Sequence, residues 1–265
     1  AKVAHEARIP LVVDSTFTPP VNYRPIEDGA DIVIHSLSKW IGGHGTGIGG
    51  VVIDSGKFDW KKGNVPLLTE PDPAYHGLRW AYDLPEPLAP AAFAFRFRTD
   101  PLRNLGACLS PDNSWIFLQG TESLPVRMAR HNENALKAAS WLQKHEKVAW
   151  VRYPGLPGDP SRPTAERQFK NGFGGAVVFG IKADSRGSGS EKGQRFIDSL
   201  ELFSNLANVG DAKSLAIHPA STTHSQLSEK EQLESGLPPD LVRLSIGIEH
   251  IDDIIADLEQ ALAKV

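Results

Sequence analysis

The chain has 265 residues, of which 40% are hydrophobic and 23% are charged, and its formal net charge at pH 7 is -4. This is the composition of an ordinary globular protein, with enough apolar residues for one large domain or two smaller ones. It gives no reason to expect nucleic acid or an anionic membrane as a partner, and no apolar run approaches the roughly 20 residues that span a bilayer. The single cysteine, Cys108, excludes a disulfide within the chain and favours a reducing compartment. We expect its thiol to be buried and inert.

The first strand is predicted over Ile9–Asp14, where the sequence IPLVVD is apolar up to its final aspartate. Such runs are typical of strands with both faces covered, as in a parallel central sheet. Residues 1–8 have the character of the last turns of a helix. We therefore expect that the chain begins in the middle of an α/β unit and that further sequence lies upstream of Ala1. A short helix near Arg24–Asp28 connects this strand to the next one.

A second strand, Asp31–Ile34, runs into a polar turn that carries the candidate chemistry. The turn reads His-Ser-Leu-Ser-Lys at residues 35–39, and six glycines between Gly42 and Gly50 follow it before a third strand at Val51–Asp54. Two hydroxyls, one amine and exposed backbone N–H groups suit a phosphate with an electrophile beside it. The alternative interpretation is a flexible, glycine-rich surface loop.

The second half of the chain predicts a smaller α+β unit. Helical periodicity over residues 121–147 indicates one long helix, or two, of the kind that often bridges domains, and a proline-rich segment follows at 153–163. We therefore divide the chain into a domain of residues 1–145 and a C-terminal domain of residues 146–265. In the latter, the predicted strands are 175–181, 204–209 and 241–246, and the predicted helices are 191–202 and 251–265.

The residue order in the turn excludes several common sites. A P-loop needs its lysine after the glycines, whereas Lys39 precedes them, and a strand follows the G-x-G-x-x-G of Gly45–Gly50 where a dinucleotide site needs a helix. No G-x-S-x-G elbow and no H-E-x-x-H motif occurs, so we expect no metal site. What remains is an amine beside phosphate donors, with Asp14 ending the neighbouring strand. Pyridoxal phosphate (PLP) requires such a set of groups. The alternative interpretation of Asp14 is that its carboxylate merely caps a turn.

Four segments of the chain resemble one enzyme family. VVDSTF, ADIVIHSLSKWIGGHGTGIGG, SNLANVGDAKSLAIHPASTTHSQL and LVRLSIGIEHIDDIIADLEQAL are similar to segments of the Cys/Met-metabolism family of PLP enzymes. Within the family, the chain most resembles the fungal-type O-acetylhomoserine sulfhydrylases. The resemblance spans essentially all residues. It implies the α/β fold of the type I, aspartate aminotransferase-like PLP transferases: a large-domain remnant with a mostly parallel sheet, and a smaller α+β C-terminal domain.

The resemblance also implies which residues bind the cofactor. Lys39 matches the catalytic Schiff-base lysine and proton shuttle, and Asp14 matches the aspartate that pairs with the pyridinium nitrogen. Thr16 matches a residue close to the ring. Ser36 and Ser38 match hydroxyls that hold the phosphate.

Three further residues match the substrate-binding part of the family. Ser214 and Leu215 correspond to a segment beside the substrate, and Arg243 corresponds to the arginine that grips its α-carboxylate. A planar, bidentate guanidinium suits that task better than an ammonium group does. From the residues alone, Ser214 is also compatible with an ordinary turn serine and Arg243 with a solvent-facing strand position.

The implied activity is γ-replacement on O-acetyl-L-homoserine by sulfide or a thiol, which yields homocysteine or a thioether together with acetate. The resemblance implies a cytoplasmic enzyme of methionine and cysteine biosynthesis that assembles as a dimer of dimers. One alternative is a lyase of the same fold that acts on cystathionine or methionine. The other is a truncated, non-catalytic chain that does not hold PLP, because the upstream part of family members supplies an aromatic ring and phosphate ligands with no counterpart in these residues.

Overall fold

The computed structural model describes residues 1–185 and 187–265. Its strands are Val12–Asp14 (β1), Ile32–Ser36 (β2), Gly50–Asp54 (β3), Val148–Arg152 (β4), Ala176–Ile181 (β5), Ser204–Asn205 (β6), Leu215–Ile217 (β7) and Leu241–Ser245 (β8). Its α-helices are Lys2–Glu6 (α1), Pro66–Thr69 (α2), Trp80–Asp83 (α3), Ala92–Phe97 (α4), Arg103–Leu105 (α5), Pro111–Leu142 (α6), Arg162–Gln168 (α7), Gly189–Ser199 (α8), Glu229–Glu234 (α9) and Ile251–Ala263 (α10).

The first sheet has the strand order β1-β2-β3. β1 and β2 are parallel, whereas β2 and β3 are antiparallel, with Ser36 opposite Gly50. These strands therefore form a mixed sheet rather than a mostly parallel one, because the glycine-rich connection returns β3 beside β2 without a crossover helix. β1 starts later than predicted, since the N–H of Ile9 bonds to Ala4 O of α1 at 3.0 Å and Pro10 has no N–H to donate.

The second sheet has the order β4-β5-β8-β7-β6 and is antiparallel except for the β6–β7 pair. Its strands pack with α6, α8 and α10 around one apolar core that includes Phe179 and Leu244. His250 caps the start of α10. The helix places Ile254, Leu258 and other buried residues on one face, as its periodicity predicts. β4 and β7 were not predicted. Of the strand predicted at 204–209, two residues form β6, which pairs with β7.

α6 is the longest helix among the described residues, with 32 residues. It begins ten residues before the predicted start because Ser110 caps it: the Ser110 Oγ accepts a hydrogen bond from Asn113 N at 3.1 Å, and Pro111 occupies the first helical position. The helix contacts both the turn after β2 and the second sheet. The division at residues 145/146 stays a prediction, supported by the position of this boundary between α6 and β4.

Around the first sheet, Trp60 and Trp80 form a smaller apolar cluster with Ile32 of β2. Cys108 lies in the exposed segment between α5 and α6, so the prediction of a buried thiol was wrong. In the parts of the chain that the structure describes, no helix is long and apolar enough to cross a membrane.

Candidate active site

Lys39 lies in a π-helical turn, Leu37–Ile41, that directly follows β2. Its backbone departs from helical geometry, with φ -99° and ψ -132°, so the turn bends at the lysine. The half-buried amine donates a hydrogen bond to Oδ1 of Asn208. Among the described residues, no carboxylate forms an ion pair with this amine. The lysine is therefore held by a neutral acceptor, which leaves its amine available for chemistry.

The lysine turn is supported from α6 by Arg127, a residue to which the sequence interpretation gave no role. The guanidinium donates to the carbonyl oxygens of Trp40 at 2.8 Å, Ile41 at 2.9 Å and Gly120 at 2.7 Å. Burial lowers the pKa of Arg127, which nevertheless stays charged. Gly43 has φ 73°, and a Cβ there would collide with this guanidinium. The turn thus requires glycine where the arginine passes.

Asp14, Thr16 and Ser36 meet at the carboxyl ends of β1 and β2. The N–H of Thr16 donates to Asp14 Oδ1 at 2.9 Å, and the Thr16 hydroxyl oxygen accepts from the N–H of Ser36 at 2.9 Å. Hydrogen bonds from the Thr16 hydroxyl and backbone N–H hold the pKa of Asp14 below its ordinary value. The carboxylate is therefore anionic at neutral pH, and it is exposed. Ser36 keeps its hydroxyl free of hydrogen bonds to the described residues.

Ser38 and the segment around it fold the glycine-rich stretch back onto the turn. The Ser38 hydroxyl oxygen accepts from Gly49 N at 3.0 Å, and its proton remains available for a ligand. The N–H of Leu37 donates to Gly49 O at 2.9 Å, and Ala212 N donates to Gly43 O at 2.8 Å. These bonds argue against the interpretation of a flexible surface loop, because the stretch is anchored at both ends.

Arg243 lies in the middle of β8, opposite Val178 and Ile217. Its half-buried guanidinium donates to the backbone oxygen of Asn208 at 3.4 Å, and burial lowers its pKa. Within the described part of the chain, it has no carboxylate partner. A guanidinium without an anion is suited to bind a carboxylate in bidentate fashion. Because Asn208 also contacts Lys39, the structure brings the predicted catalytic amine and the predicted carboxylate-binding cation to one residue.

Ser214 and Leu215 are both buried, with exposed fractions of 0% and 2%. The Ser214 hydroxyl donates to Glu249 Oε2 at 2.9 Å and accepts from Gly247 N at 2.8 Å. Ser214 N also donates to Glu249 Oε1 at 2.6 Å. The substrate-binding role of this pair stays a prediction, and these contacts favour shaping the backbone of the site over a direct hydroxyl contact.

Sequence reasoning missed Asn208, Arg127 and Glu249. Asn208 lies inside the quoted segment SNLANVGDAKSL, so the available signal was a polar residue in a segment already assigned to the site. Glu249 likewise lies inside the quoted segment LVRLSIGIEHIDDIIADLEQAL, so the same signal was available for it. Arg127 stands among other charged residues without a local pattern that separates it.

The assembled groups fit a ligand that combines an aldehyde, a basic ring nitrogen and a phosphate. The amine of Lys39 has only a neutral partner, and the carboxylate of Asp14 is ionised. Ser36 and Ser38 both have hydroxyl protons to offer. In the described residues, no group of three or more His, Cys, Asp or Glu side chains could hold a metal ion.

Comparison with known proteins gives the same family. The Cys/Met metabolism PLP-dependent enzyme family matches residues 1–263. O-acetyl-L-homoserine sulfhydrylase of Leptospira meyeri is 53% identical over 270 residues, covering 100% of this chain and 60% of that protein. Homocysteine synthase of Schizosaccharomyces pombe is 50% identical over 265 residues, covering 99% of this chain and 60% of that protein.

A solved structure of an O-acetylhomoserine (thiol)-lyase from Campylobacter jejuni superimposes with a TM-score of 0.90 at 39% identity and contains N'-pyridoxyl-lysine-5'-monophosphate. The alignment covers 99% of this chain and 61% of that one. The chain thus spans about 60% of the length of the curated relatives it matches. These likenesses confirm the fold class and the family predicted from the four segments. The chain belongs to the Cys/Met metabolism PLP-dependent enzyme family.

Proposed function

We propose that this chain carries the lysine-bearing part of a PLP-dependent enzyme that replaces the γ-substituent of O-acetyl-L-homoserine with sulfide or a thiol. The products are homocysteine, or a thioether, and acetate. The main support is the arrangement in which Asn208 contacts both the amine of Lys39 and the guanidinium of Arg243. A covalent anchor for the cofactor and a cation for an α-carboxylate are then adjacent, as an amino-acid substrate requires.

The residues proposed to hold PLP come from the first sheet. Lys39 would bind the aldehyde carbon, Asp14 the ring nitrogen, and Ser36 and Ser38 the phosphate, while Thr16 keeps Asp14 in position and ionised. When bound, PLP supplies an electron sink for the negative charge that develops at the substrate Cα.

The remaining steps are assigned to this chain's own side chains. Arg243 binds the substrate α-carboxylate and thereby orients Cα toward Lys39. The amine of Lys39 removes the Cα proton and later returns it, which is general acid–base catalysis by a positioned group. Over the whole reaction, the Cγ–O bond breaks and acetate leaves with the bonding pair. A sulfur lone pair forms the new Cγ–S bond, and the sulfur loses its proton to solvent.

We further propose that the enzyme acts in the cytoplasm, in methionine and cysteine biosynthesis, as a homo-oligomer of two dimers. The biosynthetic role is supported by relatives named homocysteine synthase. Assembly is supported by large apolar side chains on the first half of α6, where Trp115 is 61% exposed and Leu118 is 65% exposed. A second copy of the chain would remove such surface from water.

The test is to incubate the purified chain with PLP, reduce it with borohydride and locate the pyridoxyl group by peptide mass spectrometry. We expect the label on Lys39, and we expect homocysteine when O-acetyl-L-homoserine and sulfide are supplied. Failure to label Lys39 would support the non-catalytic alternative. Labelling without sulfide transfer, but with breakdown of cystathionine, would reassign the chain to the lyases.

A further inference from the structure

The segment of residues 206–212, between β6 and β7, lies against the lysine turn. Gly210 has φ 82°, and a Cβ at this position would collide with the peptide between Lys39 and Trp40. Two residues later, Ala212 N donates to Gly43 O at 2.8 Å. The segment is therefore packed directly on the backbone that presents the Lys39 amine.

The same segment is held from its other side by β8. Arg243 and Ser245 are two positions apart on this strand, so their side chains leave the same face. Arg243 Nη2 donates to the backbone oxygen of Asn208 at 3.4 Å, and the N–H of Gly210 donates to Ser245 Oγ at 3.0 Å. The backbone of Asn208 is thereby fixed between the second sheet and the lysine turn.

The Asn208 side chain then accepts a hydrogen bond from Lys39 Nζ through its Oδ1. This acceptor is an amide and not a carboxylate. It restricts where the amine points, yet it does not add the opposite charge that strongly favours the protonated, unreactive form of an amine. An aspartate of nearly the same shape at position 208 would add that charge.

We propose that Asn208 is a positioning residue that holds the Lys39 amine without an ion pair and couples this amine to Arg243. The inference rests on the proposed function, because it assigns the second residue that sets the reactivity of the same lysine. The Asn208 amide controls the reactivity of Lys39, and Arg243 acts on Lys39 through the Asn208 backbone.

The experiment measures how quickly an amine-acetylating reagent labels Lys39 in the cofactor-free chain at one mildly alkaline pH. Mass spectrometry of peptides cut at acidic residues reads Lys39 separately. Exposed Lys57, alone in its peptide, is the internal reference. We expect Asn208→Asp to slow labelling about tenfold. A close carboxylate stabilises the protonated amine and thereby lowers the fraction of neutral, reactive amine about tenfold. We expect Asn208→Ala to speed labelling about threefold, because the loss of a neutral acceptor has a smaller effect in the opposite direction.

The matched control is Asn205→Asp, which adds the same charge to an exposed residue of β6 whose side chain has no hydrogen bond to the described residues. It should label at the wild-type rate. Unchanged rates in both Asn208 variants, or a change of the same sign in both, would overturn the inference, since general loosening of the site moves both in one direction. If Asn208→Ala loses its near-ultraviolet circular dichroism, Asn208→Ser replaces it with the same expected sign.

The coupling to Arg243 is tested by a double-mutant cycle. Arg243→Lys keeps the positive charge but loses the planar guanidinium, so it should speed labelling of Lys39, and the double variant with Asn208→Ala should label no faster than Asn208→Ala alone. Additive effects would show that Arg243 does not act through Asn208. Labelling needs neither cofactor nor turnover, so a negative result leaves the proposed function standing, whereas failure of the PLP experiment does not affect this one.

Discussion

The two sheets of this chain are built from similar apolar residues but are covered to very different degrees. In the second sheet, Val242 and Leu244 are 0% exposed, whereas in the first sheet Val12 is 48% exposed and Val52 is 37% exposed. α6, α8 and α10 pack with the second sheet, while the first sheet is bordered by short helices and turns. The difference therefore reflects packing partners and not the composition of the strands.

This contrast separates stability from chemistry within the molecule. The first sheet presents polar groups at its strand ends, among them Lys39, Asp14 and Ser36. The second sheet surrounds an apolar core, and its Arg243 and Ser245 side chains bond to the backbone of residues 208 and 210, in the segment that packs on the lysine turn. The proposed site is thus composite: the turn after β2 carries the amine proposed to react, and the second sheet carries the cation proposed to bind the substrate.

The largest expected effect comes from the first sheet. Lys39→Ala should abolish covalent retention of PLP and lower the proposed sulfhydrylase activity at least about 10³-fold, because both the proposed anchor and the proposed proton-transferring group are lost. The readouts are the visible absorbance of the purified protein and the rate of homocysteine formation. Lys213→Ala, at an exposed lysine, is the control and should behave as the wild type. Retained absorbance in Lys39→Ala would remove the central assignment.

The second prediction compares the same substitution in the two sheets. Val242→Ala should lower the free energy of unfolding by about 2–3 kcal/mol, because it removes fully buried methyl groups and leaves a cavity. Val52→Ala, in the partly exposed β3, should cost less than about 1 kcal/mol. Urea unfolding curves with unchanged slopes measure both values. Equal costs would contradict the difference in covering between the sheets.

We expect the free energy of unfolding to depend on pH through His131, which lies on α6 between the lysine turn and the second sheet. His131 is fully buried, its Nδ1 lies 2.7 Å from Ile246 O, and burial lowers the pKa of His131 to about 4. The unfolded chain binds the proton near the ordinary pKa of about 6.5, so acidification favours unfolding between these two values. We expect the wild type to lose about 2 kcal/mol between about pH 7 and about pH 5 through this group.

The measurement is urea unfolding of the wild type and His131→Gln at several pH values. The difference between the two proteins should change with pH below about pH 6.5 and stay constant above it, where His131 is neutral in both states. A constant difference across the whole range would mean that the histidine is not kept neutral by the fold.

The smallest expected effect tests the contribution of the second sheet to the site. Arg243→Lys keeps the positive charge but loses the bidentate fork, so KM for the amino-acid substrate should rise about tenfold, while PLP stays bound. Arg195→Lys, at an exposed position of α8, is the control and should leave KM unchanged. An unchanged KM in Arg243→Lys would reject its assignment to the carboxylate.

Much of the lysine turn was predictable because its signals are local. The apolar run of β2, the polar turn with Lys39, and the glycines that follow are consecutive in the sequence, and the structure has them in that order. The start of α6 was missed, because its first turns carry exposed apolar residues such as Trp115 that do not show the expected stripe. β4 and β7 were missed because short strands carry few residues with which to show a period.

The sequence by itself determined the inventory of reactive groups, the approximate places of the main strands and helices, and the family, since these depend on residue types and short-range spacing. Only the tertiary structure decided which groups meet. Lys39 and Asn208 are 169 positions apart, and Arg127 reaches the carbonyl of Trp40 across 87 positions. Such contacts arise from how α6 and the two sheets pack, and that packing sums many weak interactions along the whole chain, so no local pattern encodes it.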